Sequence, residues 1–439
     1  MGSTSFLNGM LERIQSVAPA RIVGSVARTE GTTVSAVDFP APIGAIARVE
    51  RSDGADDLLA EVIGFRDNLT LLYSYSDLAG VRRGAKIELF KTSLRLPVGD
   101  ELLGRVVDAF GRTIDSGSTP VLRERARYDA KPPEPCARPR IDAPISTGVR
   151  AIDGLLTCGR GQRLGIFAGS GVGKSVTLGM MTRGTDADVT VVGLIGERGR
   201  EVNDFLEREL GEEGRRKSVV VASTSNEPPL MRVRAAHAAM AIAEYFRDQG
   251  KHVLFLLDSL TRLAMAQREI GLAAGEPPTS RGYTPSVFAM LPKLVERAGT
   301  SDVGSVTAFF TVLVEGDDKQ DPICDAVRGL LDGHAWLSRK LSARGFYPAI
   351  DILESVSRLA PTVCSPEHLA LANEVRRLLA VYADAEDLLA VGAYKRGSSS
   401  EIDRAVEMKP RIDAFLRQNV NELSTFRDSL AQLKALFAE

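Results

Sequence analysis

A glycine-rich loop between an apolar run and a helical stretch restricts this chain to a small set of folds. Residues 164–167 have the pattern of a buried strand, residues 168–175 read AGSGVGKS, and a helical pattern follows. Glycine lets the backbone turn so that successive N–H groups point inward at a phosphate. A helix that begins near Lys174 adds the positive end of its dipole. The segment predicts a phosphate-binding loop, with Ala168 in place of the glycine of the stricter pattern. The alternative is a glycine-rich turn that matches by chance.

The same loop predicts roles for individual side chains. In loops of this type the lysine reaches the β- and γ-phosphates, and the next hydroxyl is a magnesium ligand. Lys174 and Ser175 hold these two positions. We therefore expect ATP and Mg²⁺ to bind here. The predicted nucleotide contacts are Gly169, Ser170, Gly171, Val172, Gly173, Lys174, Ser175 and Val176.

A second predicted strand ends in a carboxylate. The apolar run at residues 254–257 is followed directly by Asp258. The carboxyl ends of parallel strands lie at one edge of a sheet, so Asp258 is expected beside the phosphate loop. There it can hold magnesium together with Ser175. An aspartate in this position also often caps the next helix, so the pattern is specific only in combination with the loop.

A third predicted strand ends at Glu197, in the sequence GERGREV. Hydrolysis needs a group that orients and deprotonates water at the γ-phosphate, and a carboxylate at a strand end near the phosphates suits that role. The residues alone leave a second interpretation open, in which Glu197 pairs with a nearby arginine. The candidate partners are Arg198, Arg200 and Arg215.

Strands and helices alternate from about residue 161 to 356. Apolar β-branched runs between helical stretches predict an α/β fold, with a parallel sheet covered on both faces. We assign residues 98–360 to this RecA-like P-loop domain, including a proline-rich linker at 115–145. Residues 361–439 have a helical pattern and are predicted to form a C-terminal helical domain.

The N-terminal part has a different pattern. Short β-rich runs between turn residues over 21–97 predict an antiparallel β-barrel. Such a barrel can bind oligonucleotides when its aromatic residues cluster in a basic groove. The barrel aromatics show no such cluster, which favours core packing; they are Phe39, Phe65, Tyr73, Tyr75 and Phe90. Residues 1–20 are predicted to form a helical segment, packed either on its own domain or on a partner.

Composition argues against several classes of protein. The chain has 55 basic and 57 acidic residues, and nucleic-acid binding by phosphate neutralisation more often shows a basic excess. We expect no nucleic-acid partner. We expect no secretory signal, and the sequence has no apolar run of about 18 residues. Its four dispersed cysteines suit reduced thiols in the cytosol. We expect a cytoplasmic protein that docks at the inner face of the cell membrane through partners.

Several long strings resemble the export ATPases of type III secretion and flagellar assembly, which are similar to the catalytic subunit of rotary ATP synthases. The strings include GSGVGKS, GERGREV, LLDSLTRLAMAQREIG, TVLVEGDDKQDPICDAVRG and FYPAIDILESVSRLAP. The resemblance extends from about residue 24 to 419. It implies that Glu197 is the catalytic glutamate, with Arg198 and Glu201 as supporting polar residues. It also implies that Tyr347 packs on the adenine and that Arg358 is an arginine finger for the neighbouring subunit.

The same resemblance implies a homohexameric ring, since Lys174, Glu197, Asp258 and Arg358 all occur on one chain. Loops 271–286 and 393–403 would then face a central stalk; the alternative is two flexible surface loops. Expected partners are stalk and regulatory proteins of the export apparatus, export substrates and chaperones. The flagellar branch is favoured over virulence-type (injectisome) secretion. Further alternatives are an RNA-translocating ring of the transcription-terminator type and a non-catalytic ring subunit.

Overall fold

Short strands build an antiparallel barrel at the beginning of the described chain. The computed structural model describes residues 21–438, apart from the side chain of residue 317, so the predicted helical segment at 1–20 lies outside it. The barrel closes in the order β1–β2–β5–β4–β3–β6 with antiparallel neighbours, and the predicted barrel is confirmed. Its strands are β1 (Val23–Glu30), β2 (Thr33–Val37), β3 (Ile46–Val49), β4 (Leu58–Arg66), β5 (Leu69–Ser74) and β6 (Lys86–Lys91).

The aromatic residues of the barrel do not all pack in its core. Phe39, Tyr73 and Tyr75 are buried, as the sequence predicts. Phe90 is half-buried, and the guanidinium carbon of Arg48 lies 4.0 Å from its ring centroid. Phe65 is 56% exposed, and the core prediction is wrong for it. Phe65 lies beside the turn that joins β4 to β5, where the barrel interior ends.

The chain crosses from the barrel to the main sheet through short paired segments. β7 (Arg95–Val98) pairs with β9 (Glu124–Arg127) in a two-stranded sheet. β8 (Val106–Val107) joins the edge of the main sheet, where it pairs with the strand at residues 218–224. β7 therefore spans residues 97 and 98, where the sequence places a domain boundary. β9 lies inside the segment predicted as a linker.

The main sheet is parallel at its centre. Its order is β17–β16–β10–β15–β13–β11–β12–β8, with β14 paired to β15. β14 and β17 run antiparallel to their neighbours. The remaining strands are β10 (Arg163–Ala168), β11 (Val189–Glu197), β12 (Ser218–Thr224), β13 (His252–Asp258), β14 (Gly299–Thr300), β15 (Ser305–Leu313), β16 (Gly333–Leu337) and β17 (Ile350–Ser357).

Helices cover both faces of this sheet, which confirms the predicted α/β class. They are α1 (Arg150–Leu155), α2 (Lys174–Gly184), α3 (Gly199–Asp204), α4 (Gly211–Arg216), α5 (Pro229–Asp248), α6 (Leu260–Ala274), α7 (Pro285–Val295), α8 (Pro322–Leu330), α9 (Arg339–Ala343), α10 (Ala360–Val363), α11 (Pro366–Ala390), α12 (Ser400–Leu416) and α13 (Phe426–Ala435). A π-helical turn (Phe205–Leu210) joins α3 to α4.

Two apolar cores lie on opposite faces of the sheet. Residues of α5–α8, such as Ala239, Leu263 and Leu291, form one core. Residues of α1, α2 and the C-terminal helices α11–α13 form the other, which includes Leu178, Val375 and Ile412. The predicted C-terminal helical region is thus confirmed, and its helices share a core with the helix that follows the phosphate loop. Within residues 21–438, no helix combines the length and the apolar character needed to cross a membrane.

Candidate active site

The predicted phosphate loop joins β10 directly to α2. β10 ends at Ala168, α2 begins at Lys174, and Gly173 caps that helix with φ +96° and no side-chain hydrogen bond. Gly171 also has a positive φ of +77°. A Cβ at Gly171 would meet nothing within 4 Å, so backbone conformation rather than space requires glycine there. Val172 is buried, whereas Ser170 and Ser175 are exposed. The loop is anchored at its centre and open on one side.

Lys174 lies between the two predicted carboxylates. Its Nζ is 2.5 Å from Oδ1 of Asp258 and 3.4 Å from Oε1 of Glu197. The three groups come from α2, β11 and β13, and all three side chains are at least 88% buried. Burial alone lowers the pKa of Lys174, but the charges of Asp258 and Glu197 outweigh it and hold the pKa above its usual value. The ammonium charge is therefore retained inside the site.

Glu197 lies in an environment that stabilises its protonated form. Burial raises the pKa of Glu197 to about 7, and the charge of Asp258 acts in the same direction. A hydrogen bond with Glu201 adds to this effect, while the charges of Lys174 and Arg262 oppose it. A carboxyl group with a pKa near the working pH can both hold and release a proton there. Glu197 is thus a candidate general base beside the loop.

Asp258 is fixed by a neighbouring strand. The Thr311 hydroxyl on β15 donates to Oδ1 of Asp258 at 2.7 Å. Asp258 ends β13, and Ser259 caps α6 by accepting from the Arg262 N–H. Among the residues that the structure describes, no group of three or more His, Cys, Asp or Glu is placed to hold a metal ion. The sequence prediction names Ser175 and Asp258 as magnesium ligands, and a site of this kind would take its other ligands from phosphate oxygens and water.

Tyr347 lies against the phosphate loop from a different segment. A Cβ on Gly173 would be 3.5 Å from two carbons of the Tyr347 ring. The phenol oxygen is 3.0 Å from the Ser342 hydroxyl, and 43% of the residue is exposed. The ring therefore presents an open face next to the loop.

Arg358 and the phosphate loop lie at opposite ends of the strands of the sheet. β16 pairs with β10 at Leu337 and Ala168, the end that leads into the loop, whereas its first residue, Gly333, pairs with Ser357. Four strand steps, roughly 13 Å, separate the two ends of β16. The backbone N–H of Arg358 donates to the Asp332 carbonyl, and its exposed guanidinium forms no hydrogen bond or ion pair with residues 21–438. The structure does not bring Arg358 to the Lys174 cluster of its own chain.

Known proteins match this arrangement along nearly the whole chain. A family model described as ATP synthase alpha/beta family, nucleotide-binding domain, matches residues 148–357, and one described as T3SS EscN ATPase C-terminal domain matches residues 364–435. The flagellum-specific ATP synthase of Bacillus subtilis (strain 168) is 47% identical over 97% of this chain and 98% of its own length. The flagellum-specific ATP synthase of Treponema pallidum (strain Nichols) is 52% identical over 95% and 94%. The chain belongs to the flagellar and type III secretion ATPase family.

Solved structures of this family share the fold. The assembled ATPase EscN from the enteropathogenic E. coli type III secretion system matches with a TM-score of 0.90 and 45% identity, over 94% of this chain and 100% of that chain. The structure of EscN in complex with its central stalk EscO matches with a TM-score of 0.87 and 44% identity, over the same shares of both chains.

Other predicted site residues lie around the cluster of this family member. Arg198 precedes α3 with a side chain 73% exposed, and it lies 3.5 Å from Glu201. Val176 packs against the apolar core below the loop. The alternative arginine partners of Glu197 pair elsewhere: Arg200 with Asp204, and Arg215 with Asp115. The interpretation in which Glu197 pairs with Arg198, Arg200 or Arg215 is therefore wrong.

Sequence reasoning missed Arg262, which this family member places beside Glu197. Arg262 Nε lies 3.3 Å from Glu197 Oε1 and, although buried, has no hydrogen-bond partner among the described residues. Gly196, which has φ +74°, lets it approach, because a Cβ there would be 3.0 Å from Arg262 Cδ. The available signal was its position one helical turn after Asp258, which turns its side chain back toward the carboxyl edge of the sheet.

Proposed function

We propose that this chain hydrolyses ATP within a homohexameric ring and thereby energises protein export through a flagellar type III secretion apparatus. The observation that carries the proposal is the convergence of Lys174, Glu197 and Asp258 at the phosphate loop. An ammonium group, a carboxylate for a cation and a basic carboxylate are the groups that phosphoryl transfer to water requires.

The loop N–H groups and Lys174 would hold the β- and γ-phosphates, exchanging the contacts that Lys174 makes with the two carboxylates. Glu197 orients a water molecule and accepts its proton as the water oxygen bonds to the γ-phosphorus. The bond from the γ-phosphorus to the bridging oxygen breaks, and ADP leaves with that oxygen. Tyr347 packs on the adenine, and Arg198 and Glu201 support Glu197.

Magnesium fits the donors present. Ser175 is exposed at the first turn of α2, and Asp258, the last residue of β13, contacts the preceding residue, Lys174. In Mg²⁺–nucleotide sites the protein usually supplies only one or two ligands, such as a hydroxyl and a carboxylate. Phosphate oxygens and water supply the others. When bound, the ion would neutralise charge on the β- and γ-phosphate oxygens.

Arg358 is proposed as the arginine finger of the next subunit. Its exposed guanidinium has no partner in the described chain and lies at the sheet edge away from its own loop. The guanidinium forms no hydrogen bond or ion pair with the described residues of its own chain, whereas a finger supplied across a subunit boundary is worth about 10³–10⁵ in rate. Head-to-tail contact between loop and finger closes into a ring when the rotation permits.

The ring and its partners follow from the solved relatives. EscN is described as assembled and as bound to a central stalk, EscO. We assign the stalk-facing surface of this chain to loops 271–286 and 393–403, and expect regulators, chaperones and export substrates as further partners. The protein would work in the cytoplasm and dock at the inner face of the membrane through those partners. The flagellum-specific relatives from Bacillus and Treponema favour the flagellar system.

The rate of ATP hydrolysis per chain, measured against protein concentration, tests this function. We expect a steep rise, because assembly brings Arg358 to the neighbouring site, and no hydrolysis by Lys174→Ala at any concentration. A rate per chain that is independent of concentration would contradict the ring. Many-fold stimulation by single-stranded RNA would favour an RNA translocase instead. In a strain that lacks the gene, restored motility supports the flagellar assignment, and restored effector secretion alone supports an injectisome.

A further inference from the structure

A hydrogen-bonded junction ties the C-terminal helices to the segment that carries Tyr347. α12 ends at Leu416, and two residues later the Gln418 backbone N–H donates to the Tyr347 carbonyl at 3.0 Å. In the same segment the guanidinium carbon of Arg417 lies 4.9 Å from the Phe346 ring centroid. The position of Tyr347 beside the phosphate loop therefore depends on a contact from the C-terminal region.

The Gln418 side chain fixes this contact from inside the protein. It is 4% exposed, and its Oε1 accepts from the Arg150 backbone N–H at 2.9 Å. Its Nε2 donates to the carbonyls of Gly148 and Glu422, each at 2.8 Å. A neutral amide has one acceptor and two donors to offer here, and all are used. Replacing it leaves buried backbone groups without partners.

The residues held by Gln418 also contact the phosphate-loop helix. Gly148 lies against Gly184, the last residue of α2, so closely that a Cβ on Gly184 would be 2.6 Å from the Gly148 Cα. The buried Arg150 guanidinium donates to the Phe415 carbonyl at 2.9 Å and also binds the Arg417 carbonyl and Glu422. One connected set of contacts thus runs from the end of α2 through Gln418 to Tyr347.

We propose that Gln418 is a positioning residue that holds Tyr347 against the nucleotide base. Its backbone contacts Tyr347 directly, whereas it reaches the phosphate-loop helix only through Gly148, so we expect its loss to act mainly on the base side of the site. Because Tyr347 faces a base only if ATP binds as proposed above, this role depends on the proposed function.

The test replaces the amide with an apolar side chain of the same length, Gln418→Met. We expect the KM for ATP to rise about fivefold or more, with kcat at saturating ATP within about twofold of the unaltered chain. The inhibition constant of tripolyphosphate, which has phosphates but no base, should stay unchanged. Gln432→Met is the matched control, because Gln432 is exposed on α13. Gln418→Glu keeps the acceptor but loses both donors, so it should also raise KM if the methionine variant does not fold.

The positioning role of Gln418 and the adenine contact of Tyr347 can be tested separately. An unchanged KM, or an equal weakening of ATP and tripolyphosphate, would overturn the positioning role of Gln418. Tyr347→Ala should itself raise the KM for ATP without changing tripolyphosphate binding, and Gln418→Met should add nothing in that background. If Tyr347→Ala leaves the KM for ATP unchanged, the assignment of Tyr347 to the adenine fails first. Full additivity of the two substitutions would show that Gln418 acts elsewhere.

Discussion

Glu197 is held between neighbours that oppose one another. Burial and the charge of Asp258 favour its protonated form, while Lys174 and Arg262 favour the ionised form. The balance leaves the carboxyl with a pKa of about 7. Ionised Glu197 is therefore costly to keep in the folded protein at neutral pH, yet the proposed role as general base requires that form. Function and stability make opposite demands on this residue.

The first prediction concerns pH. Because hydrolysis needs ionised Glu197, kcat/KM for ATP should fall about tenfold per unit below pH 7 and level off above it. Arg262→Met removes a charge that lowers the pKa of Glu197, so this acid limb should move to higher pH. The profile is measured at low ATP between about pH 5.5 and 8.5. An acid limb that Arg262→Met leaves in place would contradict the assignment.

The second prediction is that Glu197→Gln separates activity from stability. Turnover should fall by ~10²–10⁴ while ATP still binds, because the base is lost and Lys174 remains. The folded-state pKa of Glu197 lies above its ordinary value of 4.5. The raised pKa therefore lowers the free energy of unfolding as pH rises from 4.5 to about 7. This cost is complete above about pH 7 and absent below 4.5. The variant should thus be more stable by roughly 1–3 kcal/mol at pH 8 and not at low pH.

Denaturant unfolding at the two pH values and an ATP-binding assay check this result. Glu207→Gln is the matched control, since Glu207 is exposed in the π-helical turn after α3. It should change neither turnover nor stability. Equal stabilisation by both variants, or full turnover by Glu197→Gln, would show that Glu197 is not the buried base.

Among the elements, α2 is constrained at both ends. It begins at Lys174, and its last residue, Gly184, contacts Gly148 without any intervening side chain. The helix that holds the phosphates is thus fixed against the segment that binds Gln418. Its position depends on two glycines that share one small space.

The third prediction is that Gly184→Ala disturbs this contact. The new Cβ would lie 2.6 Å from the Gly148 Cα, which forces the backbones apart. We expect a loss of about 1–3 kcal/mol of stability and a higher KM for ATP. Gly329→Ala is the control, because Gly329 is exposed in α8 and a Cβ there meets nothing within 4 Å. It should stabilise the protein by about 0.5–1 kcal/mol. Similar effects of both substitutions on unfolding would contradict the close contact.

Hydrophobic patterns predicted which elements exist, and strand ends predicted where Asp258 and Glu197 lie. They could not predict Gln418, whose side chain binds Arg150 at a separation of 268 residues. Arg262 was missed because its position in the first turn of the helix after Asp258 indicates which edge of the sheet it faces, but not that Glu197 lies there. Phe65 was misplaced because strand patterning does not show where a barrel interior ends. Local periodicity does not predict contacts between segments that are far apart in the sequence.

At the scale of the whole molecule, the sheet separates the two halves of the proposed site. The phosphate loop leaves the carboxyl end of β10, and Arg358 follows β17 at the opposite edge. The sequence shows that the loop and Arg358 occur on one chain, but only the antiparallel pairing of β17 with β16 shows that they lie at opposite ends of the strands. In the proposed ring, each chain therefore contributes its loop to one subunit boundary and its Arg358 to another.

The fourth prediction follows from this separation. Lys174→Ala lacks a functional loop but keeps Arg358, and Arg358→Ala has the reverse defect, so each variant alone should hydrolyse ATP at least about 10³-fold more slowly than the unaltered chain. Mixed rings made from both variants contain boundaries where an intact loop meets an intact arginine. Hydrolysis by an equimolar mixture should therefore rise well above that of either variant. If the copies mix at random, roughly one boundary in four is complete, and the rate should approach about a quarter of the normal rate.

A mixture of Lys174→Ala with Glu197→Gln is the control, because both defects lie in the same half-site and no complete boundary can form. Hydrolysis that stays at the level of the single variants, while cross-linking shows that the rings are mixed, would mean that Arg358 does not act on a neighbouring site.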